Sequence, residues 1–310
     1  MTICFTFPGQ GSQKVGMGRE LADAYPQARA VFEEADEALG QKLTKIMWEG
    51  PEETLMLTEN TQPALVAMSM AAIRAMEAEG MPVAETAAYV AGHSVGEYAA
   101  LAAAKAFSLE DVIRLVRVRG QAMQQAVPVG EGGMAAILGL EFDAVAEIAA
   151  EAAGDQVCQA ANDNSGGQVV VSGHKAAIER AAKLASERGA QRAIVLQVSA
   201  PFHCDMMAPA AEVMSAALGE VTINKPVVPV ISNVLAAPVS DPVEIRQRLI
   251  EQVTGTVRWR ESVLWMAANG VDTLYEIGAG KVLSGLVRRI DRSLAAKSIG
   301  TPEDIAALKG

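Results

Sequence analysis

Along most of the chain, short apolar runs closed by glycine or proline alternate with longer stretches whose apolar residues recur every three to four positions. Ile3–Phe7 is a short β-type run, apolar but for Thr6, ending at Pro8-Gly9, and it predicts a buried strand followed by a glycine loop. Helical patterning then dominates to about residue 80. Ala87–Ala91 is a second strand candidate, bounded by Gly92, and Glu97–Ala106 reads as helix. Ser108, with Asp111 three residues on, marks the start of another helix. On a wheel for 112–126, Val112, Leu115, Val116, Ala122, Met123 and Ala126 share one face, and Arg114, Arg117, Gln121, Gln124 and Gln125 the other. Arg119 falls in the middle of the apolar face, a break of the kind that marks functional positions.

From Gly132 the texture changes. Met134–Leu140, Val157–Ala161, Gln168–Ser172 and Arg192–Val198 read as strands, Phe142–Ala153 and Lys175–Arg188 as helices. Asn162–Gly167 reads as a turn-rich loop. The order β-α-β-β-α-β is the split βαβ pattern of a ferredoxin-like unit. Beyond it, a helix to about Leu218, a strand in Val227–Ser232, helices at Ile245–Val253 and Trp259–Ala268, and a strand at Thr273–Ile277 resume the α/β alternation. The predicted division is 1–127 with 199–310 as one domain and 128–198 as a small inserted one.

Composition narrows the function classes. Half of the 310 residues are hydrophobic, enough for a sizeable core. Lys plus Arg is 26 against 37 Asp plus Glu, a net charge of −11, so general binding to nucleic acid or anionic membrane is not expected. Three widely spaced cysteines, Cys4, Cys158 and Cys204, fit neither a disulfide framework nor a CxxC zinc site and suit a reducing compartment. No stretch reaches the ~18 uncharged apolar residues of a membrane helix, and the expected location is the cytoplasm. Three scattered histidines give no metal cluster, and the glycine loops lack the spacing for dinucleotides or triphosphates, so neither metal nor cofactor is expected.

Gly92-His93-Ser94-Val95-Gly96 matches G-x-S-x-G, with an apolar strand before it and a helix after it. That is nucleophile-elbow context: the glycines permit a tight turn, and the helix N-terminus offers N–H groups to a developing oxyanion. The combined patterns predict an α/β fold, an α/β-hydrolase-like core with a largely parallel sheet plus the ferredoxin-like insert. A serine nucleophile needs a base. His93 adjoins the serine on a turn where neighbouring side chains diverge, and His174 reads as a solvated helix-start residue. His203, in the irregular segment returning from the insert, is the best base. Asp163 and Asp205 are the nearest acids to orient its ring, although a backbone carbonyl can do the same. Arg119 requires either an internal acid or an anionic ligand in a cleft, and a substrate carboxylate suits its bidentate geometry.

Taken together, these motifs resemble the malonyl-CoA:acyl carrier protein transacylases of fatty acid synthesis. The resemblance runs through Phe7–Gln13, Gly92–Tyr98, Arg117–Gly120, Asn162–Gln168, Pro201–His203, Glu251–Val253 with Val257–Trp259, and Glu276–Gly278. It implies Ser94 as nucleophile, His203 as base, the Gln252 backbone carbonyl as the group holding the imidazole, and the Gln10 and Val95 N–H groups as oxyanion hole. It implies Arg119 as the ligand of the malonyl carboxylate, with His93 and Asn164 in support. Phe202 stands where other members carry a small serine. In related polyketide acyltransferase domains, an aromatic there accompanies malonyl over α-methylated units, a discrimination worth ~1–3 kcal/mol per methyl. The implied partners are malonyl-CoA and an acidic acyl carrier protein that docks transiently, and the chain is expected to act as a monomer. Lys281, Arg288, Arg289 and Arg292, with Arg117 on an exposed helix face, are the basic residues available for docking. The competing reading is a serine esterase or thioesterase that uses the same elbow.

Overall fold

The computed structural model describes residues 1–309. Ten strands form two sheets: β1 (Ile3–Phe7), β2 (Tyr89–Gly92), β3 (Gly132–Leu138), β4 (Cys158–Ser165), β5 (Gln168–His174), β6 (Arg192–Leu196), β7 (Val230–Ile231), β8 (Pro238–Val239), β9 (Thr273–Ile277) and β10 (Ala295–Ile299). The larger sheet has the order β10-β9-β1-β2-β7-β8 and is parallel except for the β7–β8 pair. Its central strand β1 is buried at every position, as expected of a parallel strand covered on both faces. The helix Thr58–Ala78 is buried nearly all round, and it packs against the helices Pro26–Leu39, Val95–Ala103 and Leu109–Gln125.

The smaller sheet is antiparallel in the order β4-β5-β3-β6. Numbered within the unit, this is 4-1-3-2 read from β6, the arrangement of a ferredoxin-like βαββαβ unit. Its core is built from Ala135, Ile137, Val169 and Val171 against Val145, Ile148, Ile178 and Ala181 of its two helices. The predicted Asn162–Gly167 loop is mostly strand. β4 continues to Ser165 through register shifts at Ala160/Asn162 and Asp163/Ser165, and only Gly166-Gly167 turns. The polar residues there sit in a bulged strand, which re-aims their side chains. Asn162 also bridges to Val257, with the Asp163 N–H donating to the Val257 carbonyl at 2.9 Å, so this strand joins the insert to the main body.

Two further readings differ. Val227–Ser232 contributes only Val230–Ile231 as strand, and Ala295–Ile299 adds an edge strand that the apolar pattern did not reveal. An edge strand with Lys297 and Ser298 in it has no need of the apolar run that marks a central one.

What positions the site is the register of β1 on β2. Phe7 pairs with Gly92, so the loops leaving the two strands emerge side by side at the carboxyl edge of the sheet. In open α/β sheets this is where ligands bind.

Candidate active site

The elbow exists because three glycines let backbone segments nearly touch. A Cβ on Gly92 would lie 1.9 Å from the Gly96 carbonyl carbon, one on Gly96 would lie 2.1 Å from the Phe7 oxygen, and one on Gly9 would lie 2.6 Å from the His93 oxygen. Ser94 sits at φ 52°, in the region a non-glycine residue avoids. Its N–H donates to Asn233 Oδ1 at 2.7 Å, and Asn233 Nδ2 donates to the Gly92 carbonyl at 2.6 Å, so one asparagine braces the turn from both sides. Nothing among the described residues accepts from the Gln10 or Val95 N–H. Both residues line a cleft of about 380 Å³ with Ser94, Arg119, Phe202 and His203.

Ser94 Oγ lies 2.8 Å from His203 Nε2. His203 Nδ1 lies 2.8 Å from the Gln252 backbone oxygen, and a carbonyl only accepts, so Nδ1 carries the proton and donates it there. That fixes the tautomer and leaves Nε2 as a lone pair facing the serine hydroxyl. His203 is 4% exposed, also at positive φ (58°). Burial first, and the Arg119 charge second, push its pKa down to about 3, so it is a neutral acceptor at physiological pH. Asp163 and Asp205 are engaged elsewhere. Asp163 accepts from Arg260 Nε at 2.9 Å and Asp205 from Gln159 Nε2 at 3.0 Å.

Arg119 is 1% exposed. Its Nη1 donates to Gln62 Oε1 at 2.9 Å, and Nη2 donates to Gln252 Oε1 at 2.9 Å and Ser94 Oγ at 3.1 Å. The guanidinium also lies over the Tyr98 ring, 5.5 Å from its centroid. All of these partners are neutral, no carboxylate of the described residues lies within ion-pair distance, and Nε has no partner. Burial lowers its pKa, yet an arginine stays charged in a protein. A cation with no direct ion-pair partner therefore stands one hydrogen bond from the Ser94 hydroxyl.

His93 diverges from the serine as expected and donates from Nε2 to Asn164 Oδ1 at 2.8 Å, across from the bulge in β4. Phe202 is half-buried in the cleft wall beside Val198 and Met134. His174 does start a helix, as the N-cap residue of Lys175–Glu187, but it is half-buried rather than solvated: its Nδ1 accepts from the Val157 N–H at 2.9 Å. Arg117 does not lie on an exposed face. It is half-buried, with Nε and Nη2 enclosed and without partners. Lys281, Arg288, Arg289 and Arg292 are exposed, around the helix Val282–Ile290.

Sequence reasoning did not find Gln62, Asn233 or Glu97. Gln62 had a signal, a polar residue in the uncharged Thr61–Ile73 stretch. Glu97 had one as well, an acid among Val95, Tyr98, Ala99, Ala100 and Leu101 on a helix too apolar to be exposed. Asn233 had none beyond its place after β7.

The acyl transferase domain family matches residues 4–303. The malonyl CoA-acyl carrier protein transacylase of Bacillus subtilis is 46% identical over 304 residues, spanning 98% of this chain and 95% of its own length. Among solved structures, the acyl-carrier-protein-S-malonyltransferase from Bartonella henselae superposes with a TM-score of 0.98 at 55% identity, covering 99% of this chain and 98% of that one. A malonyl-transacylase in complex with a type II PKS acyl-carrier protein superposes with a TM-score of 0.96 at 40% identity, covering 99% and 98%.

Proposed function

The chain belongs to the acyl transferase domain family, and from that premise we propose that it moves a malonyl group from malonyl-CoA to the phosphopantetheine thiol of acyl carrier protein, supplying extender units for fatty acid synthesis. The observation that carries this reading is a buried arginine with neutral partners 3.1 Å from the oxygen of a serine that faces a neutral histidine. An esterase has no use for such a cation, whereas a dicarboxylic thioester presents a free carboxylate to it.

The steps follow from the geometry. Ser94 Oγ attacks the thioester carbonyl, and its proton passes to His203 Nε2. The oxyanion is met by the N–H groups of Gln10 and Val95, the latter at the N-terminus of the helix Val95–Ala103. The C–S bond breaks, and His203 returns the proton to the departing CoA sulfur. The carrier thiol then gives its proton to His203, attacks the malonyl-serine ester, and the proton goes back to Ser94 Oγ. The Gln252 carbonyl stabilises the imidazolium that forms in each half, the role an acid plays in a triad. Arg119 holds the free carboxylate throughout, and His93, Asn164 and Phe202 shape the wall opposite. Phe202 presses on the α-carbon of the acyl group and favours malonyl over α-methylated units.

The exposed cations Lys281, Arg288, Arg289 and Arg292 are the proposed landing surface for an acidic carrier protein. The division into 1–127 with 199–310 and 128–198 is likewise proposed, supported by the separate core of the small sheet. Action as a monomer is part of the same proposal. Cytoplasmic placement fits the three free, buried cysteines, and no helix among the described residues is long and apolar enough to cross a membrane.

The test is the fate of the acyl group. With malonyl-CoA and holo acyl carrier protein, malonyl-carrier should form in step with CoA release, and Ser94→Ala should form none. Release of free malonate in place of transfer would overturn this reading in favour of an esterase.

A further inference from the structure

Ser94 and Glu97 occupy the first and fourth positions of an S-x-x-E capping box at the start of the helix Val95–Ala103. Neither side chain makes the capping bond. Ser94 Oγ faces His203 and Arg119, and its N–H goes to Asn233. Glu97, 2% exposed, turns across the fold: its Oε2 accepts from Gln252 Nε2 at 2.7 Å and from the Asn233 N–H at 3.2 Å. A buried carboxylate is costly, and this one forgoes the local bond that would normally help to offset it.

Gln252 is the common point. Its backbone oxygen takes the His203 proton, its Oε1 takes Arg119 Nη2, and its Nε2 serves both Glu97 and the Ser94 carbonyl, the latter at 3.0 Å. An amide has a donor end and an acceptor end. A guanidinium only donates, while a carboxylate and a backbone carbonyl only accept, so Arg119 on one side and Glu97 with the Ser94 carbonyl on the other fix the orientation of the amide between them, Glu97 being the charged and shorter of the two acceptors.

We propose that Glu97 is a positioning residue for acyl-group selectivity: by accepting from Gln252 Nε2 it keeps the Gln252 amide oxygen on Arg119, and so holds the guanidinium where the substrate carboxylate arrives. This rests on the reading of Arg119 given above. Neutralised, residue 97 can donate as well as accept. The hold on the Gln252 NH₂ is then left to the Ser94 carbonyl at 3.0 Å, the amide samples the turned orientation more often, and in that orientation two facing donors push Arg119 out of place.

The neighbourhood makes the effect readable. Arg119 is the charge that bears on Glu97 from the helix Leu109–Gln125, Tyr98 is the titratable neighbour on its own helix, and Gln252 and Asn233 are neutral. Burial pushes Glu97 up to about 7 and Tyr98 up to about 12, while His203 is pushed down to about 3 and burial also lowers His93. Glu97 is thus the carboxyl of this network whose charge changes near neutral pH.

The experiment compares malonyl and acetyl transfer by the wild type, Glu97→Gln and Arg119→Ala. Glu97→Gln should lower the malonyl-to-acetyl ratio of kcat/KM about tenfold, an equivalent of about 1.4 kcal/mol. The loss should lie in the KM for malonyl-CoA, and Ser94 should still be acylated by acetyl-CoA. In the wild type the ratio should fall as pH drops below about 7, and in Glu97→Gln it should be flat. Should that variant not fold, Glu97→Asp, which withdraws the carboxylate by one methylene, should move the ratio the same way. A wild-type ratio that ignores pH, or equal losses for both acyl groups, would overturn the proposal. A ratio lost in Arg119→Ala but intact in Glu97→Gln would overturn this proposal alone, and a ratio intact in Arg119→Ala would overturn the Arg119 reading together with it.

Discussion

Arg119 and Arg260 are handled in opposite ways. Arg260 keeps 29% of its side chain exposed and meets the buried Asp163 carboxylate at 2.9 Å, a conventional ion pair that ties the helix Trp259–Ala268 to β4. Arg119 is enclosed, and its hydrogen bonds go to Gln62, Gln252 and Ser94, while the nearest acid of the network, Glu97, is separated from it by the Gln252 amide. Amide oxygens satisfy donors without cancelling charge. Around Arg260 the field is closed; around Arg119 it is left open to an incoming anion. The difference teaches that the sequence-level alternative for Arg119, internal ion pair or ligand site, turns on what kind of acceptor surrounds it. The same allocation commits Asp163 to Arg260 and leaves His203 to a backbone carbonyl.

Removing the open cation should have the largest effect. Arg119→Ala forfeits two charge-assisted hydrogen bonds to the substrate carboxylate at ~1.5–3 kcal/mol each, so the malonyl-to-acetyl ratio of kcat/KM should fall by ~10²–10⁴. Steady-state kinetics with the two thioesters checks this, and equal losses would make Arg119 a structural residue. The closed pair should give far less. The Asp163 carboxyl titrates above the usual range because burial outweighs Arg260, so the folded form holds its proton longer than the unfolded form, and stability falls as pH rises through that range. Asp163→Asn thus sheds a charge that was already costly. It should shift the melting temperature by only a few degrees, because losing the pair and relieving a buried charge offset each other while Arg260 stays 29% exposed, and leave the malonyl-to-acetyl ratio unchanged. A ratio that moved with Asp163 would erase the contrast between the two arginines.

Legibility followed the range of the interactions. The elbow is local: Gly92, Ser94 and Gly96 announce a turn whose geometry depends on residues at its two ends. Arg119 was legible because a helical period places it on an apolar face, and the structure buries it there. The β-α-β-β-α-β succession of the smaller unit was legible from its apolar runs and turn residues, and its strands pair as a ferredoxin-like sheet. The orienting group of His203 was not, because a backbone oxygen leaves no residue signature, and Gln252 entered only through family resemblance. Gln62, Glu97 and Asn233 reach the site across 57, 155 and 139 positions of chain, which periodicity does not see. Asn162–Ser165 was misread for the opposite reason. Turn-forming residues dominate that segment, but pairing with β5 and Val257 satisfies their backbone and overrides the local preference.

The central claim is that a carboxylated acyl group is carried on Ser94 and handed to a carrier thiol. Peptide mass analysis after exposure to equimolar malonyl-CoA and acetyl-CoA, repeated after holo acyl carrier protein is added, tests it directly. The account predicts a malonyl increment on the Ser94 peptide, in large excess over acetyl, that disappears as malonyl-carrier appears. An increment on another residue, or acetyl and malonyl loaded alike, would contradict it.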